Sequence, residues 1–289
     1  ASIQRVVGFL IALSSLMMLP PILVSWWYHA GTAGLFSISA FTLASSGLLI
    51  YMPVRRVRHE LRVRDGFRSV VGCWLALAIV GALPFVLLQT PQLSYVDALF
   101  ESMSGLTTTG ATIITNIEAL PKAVLYYRQQ LQWLGGMGII VLAVAILPML
   151  RIGGMQLYRA ETPGPLKDSK LTPRITETAK ALWLIYLGIT VVCALAYWLG
   201  GMTLFDAVGH SFSTVAIGGF STHDASLAYF DNPTIEIIAT VFMVVAGINF
   251  ALHFSAWRKA SLRAHSACFL GRRGAAGSRR RGRSRRPPG

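Results

Sequence analysis

FESMSGLTTTGAT (residues 100–112) lies between two long apolar stretches and ends mainly in small residues, with three threonines followed by a glycine. It overlaps an amphipathic stretch, SYVDALFESMSGL (residues 94–106), that is too short to cross a membrane. A helix needs roughly 20 apolar residues to span about 30 Å of hydrocarbon. The pattern therefore predicts a half-helix that enters a bilayer from the outside and is followed at once by a re-entrant loop.

The composition of the whole chain indicates a polytopic membrane protein. Its 289 residues are 54% hydrophobic and 13% charged, with a mean hydropathy of +0.55, whereas soluble domains average about 25% charged residues. We expect Pro20 and Pro21 to kink or end the first apolar window. The predicted spans in the lipid bilayer lie near residues 3–27, 34–53, 69–89, 129–150, 179–200 and 234–256.

The distribution of charge predicts the orientation of these spans. Arginines and lysines crowd segments 55–68, 151–180 and 258–263, whereas segments 28–33, 90–128 and 201–233 carry six acidic residues against Lys122 and Arg128. Because basic loops stay on the cytoplasmic side, both termini are expected in the cytoplasm. Eight of the 26 basic residues follow Gly271, so much of the net charge of +14 comes from the end of the chain. We therefore expect no nucleic-acid partner.

The half-helix and its loop recur later in the chain. MTLFDAVGHSFSTV (residues 202–215) is again a short helical pattern, and AIGGFST follows it. The two stretches align without gaps at a spacing of 109 residues, which predicts two units of span, half-helix, loop and span. The matching pairs are Asp97 and Asp206, Ala98 and Ala207, Ser102 and Ser211, Ser104 and Ser213, Gly110 and Gly219, and the similar pair Thr112 and Ser221.

Non-helical backbone at membrane depth is tolerated only where protein or a water-filled path surrounds it. A glycine at the centre of such a loop permits positive φ and turns successive carbonyls to one side, and a ring of carbonyls can replace the hydration shell of an alkali cation. Taken alone, TTTG is better explained as a capped turn at a helix end. The repetition of the unit favours a cation path.

The residues quoted above resemble the Trk/Ktr/HKT superfamily of cation transporters, and within it the TrkH-like bacterial potassium uptake proteins. The resemblance covers residues 1 to about 263. It is carried by FESMSGLTTTGAT, LQWLGGMGIIVLAVAILPML (131–150), GHSFSTVAIGGFST (209–222) and GINFALHFSAWRKASLR (247–263).

The resemblance implies an all-α polytopic membrane protein with two N-terminal helices plus two helix–pore loop–helix repeats, which is half of a pseudo-fourfold potassium-channel-like fold. The implied divisions are 1–68 (N-terminal helices and a basic cytoplasmic loop), 69–150 (first unit), 151–178 (cytoplasmic loop), 179–256 (second unit) and 257–289 (a basic, disordered cytoplasmic tail).

The resemblance also implies potassium uptake by selective permeation, with K⁺ as the transported ion, no enzymatic activity, and a place in the bacterial inner membrane. Gly110 and Gly219 match the filter glycines. In the HKT branch a serine at a filter-glycine position accompanies sodium preference, so glycine at both positions favours potassium. The implied ligands are the backbone carbonyls of Thr108, Thr109, Gly110, Ile217, Gly218 and Gly219.

Partners and alternatives follow from the same resemblance. Family members work with cytosolic nucleotide-binding regulatory subunits of the TrkA type, and most form dimers, so both partners are expected here. The family has four units and this sequence supplies two. The segment 264–289 is rich in Arg, Gly, Ala and Pro, which is typical of GC-rich coding sequence read out of frame, so we expect a truncated or frameshifted gene. A polybasic segment that binds anionic lipid is the competing interpretation.

Two alternative functions remain open. One is an inactive N-terminal fragment of such a transporter. The other, from a different class, is a polytopic membrane enzyme or scaffold, although the sequence contains no HExxH motif and no paired-aspartate motif.

Other polar and small residues have plainer interpretations. Asp97 and Asp206 are expected to be N-caps, and Glu101 is a candidate for attracting cations to the mouth. We predict that Asn249 and His253, four residues apart, hydrogen bond within the helix bundle. Gly135, Gly136 and Gly138 are expected to allow close packing beneath the filter.

Overall fold

The part of the chain that the structure describes is helical. The computed structural model describes residues 2–55, 63–141, 171–248, 250 and 253, and it shows no strand among them. The α-helices are α1 (Ser2–Ser14), α2 (Leu19–Trp27), α3 (Ala33–Tyr51), α4 (Val63–Gly81), α5 (Leu83–Val86), α6 (Tyr95–Leu106), α7 (Lys122–Val141), α8 (Leu171–Leu199), α9 (Leu204–Val215) and α10 (Pro233–Gly247). Short 3-10 helices occupy Ser15–Met18, Met52–Val54, Ile117–Ala119 and Ser226–Phe230.

Three helical stretches in this part of the chain are long and apolar enough to cross a membrane: Gln4–Trp27, Ala33–Val54 and Ala179–Leu199. They agree with the first, second and fifth predicted spans. Shorter apolar helices, Val70–Val86 and Pro233–Gly247, stand where the third and sixth spans were predicted. The two half-helices predicted from the repeat are α6 and α9, each 12 residues long.

The fourth predicted span begins earlier than the sequence indicated. We predicted its start at residue 129, but α7 begins at Lys122, directly after Pro121. The carbonyl of Pro121 accepts hydrogen bonds from the amides of Val124 and Leu125 at 2.8 and 3.1 Å, so the first turn is already formed there. Arg128 therefore lies inside a helix, and its assignment to an outer loop from charge alone was wrong. Residues 142–150 of this span lie outside the described part.

The first span is interrupted in the turn before Pro20 and Pro21, as predicted. α1 ends at Ser14 and α2 begins at Leu19, so the interruption precedes Pro20 and Pro21. Both prolines lie in the first turn of α2, where a missing amide hydrogen costs no intrahelical bond. The hydroxyls of Ser14 and Ser15 donate to carbonyls three residues earlier, each at 2.7 Å, at the end of α1.

The core between α3, α5 and α7 is centred on Tyr127. Its ring packs against Phe36 and Phe85, with ring centroids 5.5 and 5.4 Å away, and its hydroxyl donates to the carbonyl of Gly81 at 2.9 Å. All three aromatic side chains are buried. Because its ring is packed and its hydroxyl is hydrogen bonded, Tyr127 holds the first half of α7 against the N-terminal helices.

The helices α1 and α3 approach each other closely at two glycines. A Cβ on Gly47 would overlap the backbone nitrogen of Ala12 and lie 2.7 Å from its Cα, and a Cβ on Gly8 would lie 2.8 Å from the backbone nitrogen of Tyr51. Small residues at such crossings let helix backbones meet, which is how helices commonly associate in membranes.

Contacts divide the chain into residues 1–247 and residues 248–289. In the second unit, the rings of Phe250 and His253 are tilted, with centroids 5.5 Å apart. Asn249, the other member of the predicted polar pair, lies outside the described residues. The basic tail and most of the loop at 151–178 also lie outside them.

We predict that Gly47→Ala lowers the thermal unfolding temperature of the purified chain in detergent, because overpacking at a tight contact costs about 1–3 kcal/mol. The matched control is Gly34→Ala in the same helix, where an added Cβ would meet nothing within 4 Å. An equal effect of the two substitutions would contradict the close approach of α1 and α3.

Candidate functional site

The two half-helices begin with the same capping arrangement. Ser94 and Thr203 are the N-caps, and each hydroxyl oxygen accepts from the amide of the aspartate three residues later at 3.2 Å. Each hydroxyl also donates to that aspartate's carboxylate at 2.7 Å. Asp97 and Asp206 therefore stand at the third helical position, and their expected role as N-caps was wrong, because Ser94 and Thr203 occupy that position.

The two half-helices also end in the same way. At the end of α6, the amide of Thr108 donates to the carbonyl of Gly105 at 3.0 Å and that of Thr109 to Ser104 at 2.9 Å. At the end of α9, the amide of Ile217 donates to the carbonyl of Thr214 at 3.0 Å, and the amide of Gly218 donates to the carbonyl of Ser213 at 2.8 Å. These pairs of bonds define a Schellman motif at each end, with the same spacing of 109 residues.

Each loop contains two left-handed residues, one of which the sequence did not reveal. Gly110 and Gly219 have φ values of +76° and +83°, as the glycine pattern predicted, but Thr108 and Ile217 also have positive φ, at +55° and +53°. A β-branched residue in this region is strained, and such strain is concentrated at functional sites. Thr108 and Ile217 are the C′ residues of the two Schellman motifs, the position at which that motif is left-handed.

The two loops touch each other at their glycines. A Cβ on Gly110 would overlap the carbonyl oxygen of Gly218, and it would lie 3.5 Å from the Cα of Gly219. Thus the structure brings together Gly110, Gly218 and Gly219 from units that are distant in sequence. Of the remaining predicted site residues, Thr108 is half-buried, whereas Thr109 and Ile217 are exposed.

Helix α7 packs behind both loops. The side-chain oxygen of Gln132 accepts from the amide of Phe220 at 3.0 Å, and the same side chain occupies the space that a Cβ on Gly218 would need. A Cβ on Gly135 would overlap the carbonyl of Leu106, at the end of α6, and one on Gly136 would lie 3.3 Å from the Cα of Ala216, just after α9. The close packing predicted for Gly135 and Gly136 is confirmed, whereas Gly138 makes only ordinary contact with Trp74.

Glu101 does not act at the outer mouth as we predicted. Its side chain is fully buried, and its Oε1 accepts from Nε of Arg128 at 2.8 Å. Its carboxylate also accepts from the hydroxyl of Thr112, at 3.0 Å to each oxygen. A carboxylate that is buried and paired with a guanidinium is not accessible to cations at the outer mouth. Neither this pairing nor the burial of Arg128 was signalled by spacing in the sequence.

His210 makes the corresponding link in the second unit. Its Nδ1 lies 2.9 Å from the carbonyl oxygen of Asp206, and its Nε2 lies 3.0 Å from the hydroxyl of Ser221. Because the carbonyl can only accept, Nδ1 carries the proton. The half-helix is thus bonded to its own loop in both units, by a carboxylate in one and an imidazole in the other.

Outside the loops, the two units are joined by polar contacts. The Asp224 carboxylate accepts from the amide of Ile117 at 2.9 Å, and Nδ1 of His223 lies 3.3 Å from Oε1 of Glu118. In the described residues, no group of three or more His, Cys, Asp and Glu side chains is arranged to hold a metal ion.

The comparison with known proteins accounts for this repeated geometry. The model of the TrkH family, whose description is a cation transport protein, matches residues 35–270. The chain belongs to the TrkH family. This agrees with the resemblance inferred from the loops and with the helical architecture of two half-helix units.

Curated relatives and a solved structure support the same assignment. The Trk system potassium uptake protein TrkH of Halomonas elongata is 59% identical over 260 residues, covering 90% of this chain and 54% of that protein. TrkH of Escherichia coli (strain K12) is 55% identical over 264 residues, covering 91% and 55%. The crystal structure of the potassium transporter TrkH from Vibrio parahaemolyticus matches with a TM-score of 0.80 and 53% identity, covering 90% and 52%. The chain spans about half the length of these TrkH proteins.

We predict that Thr108→Gly raises the unfolding temperature of the purified chain. Relief of a strained left-handed residue outweighs the entropic cost of glycine, for a net gain on the order of 1 kcal/mol. The control is Thr109→Gly in the same loop, where φ is not positive and the substitution should destabilise. A loss of stability in both variants would contradict the strain.

We predict that Gln132→Met destabilises the chain whereas Gln129→Met does not. The first substitution removes the acceptor of the buried Phe220 amide, and an unsatisfied buried donor costs about 1–3 kcal/mol. Gln129 is equally buried, but its side-chain nitrogen and oxygen have no hydrogen-bond partner within the part of the chain that the structure describes. Thermal unfolding in detergent measures both, and equal losses would contradict the role of Gln132 behind the loop.

Proposed function

We propose that this chain takes part in potassium uptake across a bacterial inner membrane by selective permeation. One observation carries the proposal: two re-entrant loops, each with alternating left-handed residues, meet at Gly110, Gly218 and Gly219. The names of the TrkH proteins described above, which are potassium uptake proteins, support the choice of ion.

The proposed ligands are backbone carbonyls of Thr108, Thr109 and Gly110 in the first loop, and of Ile217, Gly218 and Gly219 in the second. Two physical features support them. The loops follow the C-terminal ends of α6 and α9, where a helix dipole contributes about half an elementary negative charge. No acidic side chain occurs within residues 107–112 or 216–222, so the two loops provide only neutral oxygen ligands. Backbone carbonyl oxygens are suitable ligands for a dehydrated alkali cation.

The proposal extends to the arrangement of the chain. Residues 69–150 and 179–256 form two span–pore–span units that supply half of the ligands of a four-loop filter, and 1–68 forms the N-terminal helices. Both termini face the cytoplasm, as the basic segments indicate. A cytosolic nucleotide-binding subunit of the TrkA type and a second copy of the chain are proposed partners, on the strength of the family alone.

Gly219→Ala is predicted to reduce potassium uptake about tenfold, the factor that ~1.4 kcal/mol on a barrier produces. Alanine at φ +83° is strained and turns the adjacent carbonyls. The matched control is Gly31→Ala in an outer loop, where φ is +70° and, as at Gly219, an added Cβ meets nothing within 4 Å. The measurement is potassium uptake by cells that lack their own uptake systems, with the length of the expressed chain verified.

Three outcomes are distinguishable. Loss in Gly219→Ala with retention in Gly31→Ala supports carbonyl-mediated permeation. Equal uptake by both variants contradicts the ligand assignment. No uptake by the unsubstituted chain favours the inactive-fragment alternative.

A further inference from the structure

The guanidinium of Arg128 lies at the junction of the two loops. Its Nε donates to Glu101 at 2.8 Å, its Nη2 to the hydroxyl of Thr112 at 3.0 Å, and its Nη1 to the carbonyl of Ser221 at 3.3 Å. Its Cζ also lies 4.4 Å from the centre of the Phe220 ring. One fully buried side chain therefore contacts the half-helix of the first unit, the loop of the first unit and the loop of the second.

This set of contacts requires arginine. The guanidinium presents five donors in a rigid plane, whereas a lysine ammonium is a single point on a flexible stem. The three partners belong to α6, to the segment after Gly110 and to the segment after Gly219. A lysine of the same charge is unable to bond all three from its one nitrogen at these distances.

The second unit has no counterpart of Arg128. The helix that follows the second loop, α10 (Pro233–Gly247), contains no arginine or lysine. The residue corresponding to Glu101 at the repeat spacing is His210, whose hydrogen bonds among the described residues are to Asp206 and Ser221 of its own unit. The link between the loops is consequently asymmetric, since one arginine from the first unit reaches across to the second.

A buried ion pair of this kind is a poor source of stability. The cost of desolvating both charges commonly equals or exceeds the attraction between them, so well-packed apolar residues in the same place are often as stable. Apolar residues, however, make no hydrogen bonds that would orient the two loops. The donors of Arg128 fix the position of Thr112 relative to the Ser221 carbonyl. Each of these two residues lies two positions after the filter glycine of its loop.

We propose that Arg128, held by Glu101, is a positioning residue that fixes the separation of the two loops and thereby the preference for potassium over smaller cations. The part concerning ion preference rests on the proposed function. The part concerning loop separation does not, and it can be measured without any ion.

The experiment uses the purified full chain in detergent, with native cysteines replaced and spin labels at the exposed positions Thr115 and Ala225. Dipolar EPR gives the distribution of distances between the loops. The variants are Arg128→Lys, which keeps the charge, and the pair Glu101→Gln with Arg128→Met, which leaves no buried charge unpaired. The control is Lys122→Met, which removes a cation from the same helix, where its Nζ lies 4.2 Å from the centre of the Tyr28 ring and 5.4 Å from that of the Phe205 ring.

A second readout is the unfolding temperature of the same proteins titrated with KCl and, separately, NaCl. We expect a broader distance distribution in both Arg128 variants and an unchanged one in Lys122→Met. We also expect the ratio of Na⁺ to K⁺ concentrations that give equal stabilisation to fall toward one in the Arg128 variants. A merely structural role would lower the unfolding temperature without changing either the distribution or this ratio.

The outcomes separate the two proposals. Unchanged distance distributions in folded Arg128 variants overturn the positioning role. Broadened distributions with an unchanged ion ratio overturn its effect on ion preference. If the unsubstituted chain shows no difference between K⁺ and Na⁺, the proposed function loses its support, while the distance measurement still decides the role of Arg128 in loop separation.

Discussion

Backbone that leaves the helical state inside a membrane exposes amides and carbonyls that lipid is unable to satisfy, and most of the site's architecture follows from that constraint. The first amides after each half-helix are satisfied by Schellman bonds to the helix itself. The amide of Phe220 is satisfied by Gln132, and the carbonyl of Ser221 by Arg128. Helix α7, which carries both side chains, is therefore as much a part of the site as the loops.

The two units share a backbone plan but differ in the chemistry that maintains it. The N-cap hydrogen bonds and the Schellman motifs repeat with nearly equal distances. The links from half-helix to loop do not repeat, since a carboxylate bonds Thr112 in one unit and an imidazole bonds Ser221 in the other. Different pairs of hydrogen-bonding side chains can stabilise the same loop conformation. The side chains can therefore differ between the units as long as the backbone carbonyls keep the same direction.

The glycines of the two loops and of α7 are required for different physical reasons, namely a positive φ, a close contact, or both. At Gly110 both a positive φ and the contact with Gly218 exclude a side chain, whereas at Gly219 only the positive φ does. In α7 the requirement is space, because the ends of α6 and α9 pass directly against the helix backbone. Thr108 and Ile217 show the opposite case, in which a β-branched residue occupies the left-handed C′ position of a Schellman motif that glycine would adopt freely.

Local patterns in the chain were enough to predict the half-helices, the repeat at 109 residues, the helical class and the family, because hydropathy, capping residues and glycine spacing are properties of neighbouring residues. They failed wherever the answer depended on residues far apart in sequence. Glu101 was interpreted as a mouth residue, and Arg128 as a loop charge, because their pairing joins two elements that meet only after folding. The positive φ of Thr108 and Ile217 was not predicted either, because β-branched residues rarely adopt it and no glycine marks those positions. Sequence alone thus determined that two loops enter the membrane, and tertiary structure decided that they touch and that one buried arginine links them.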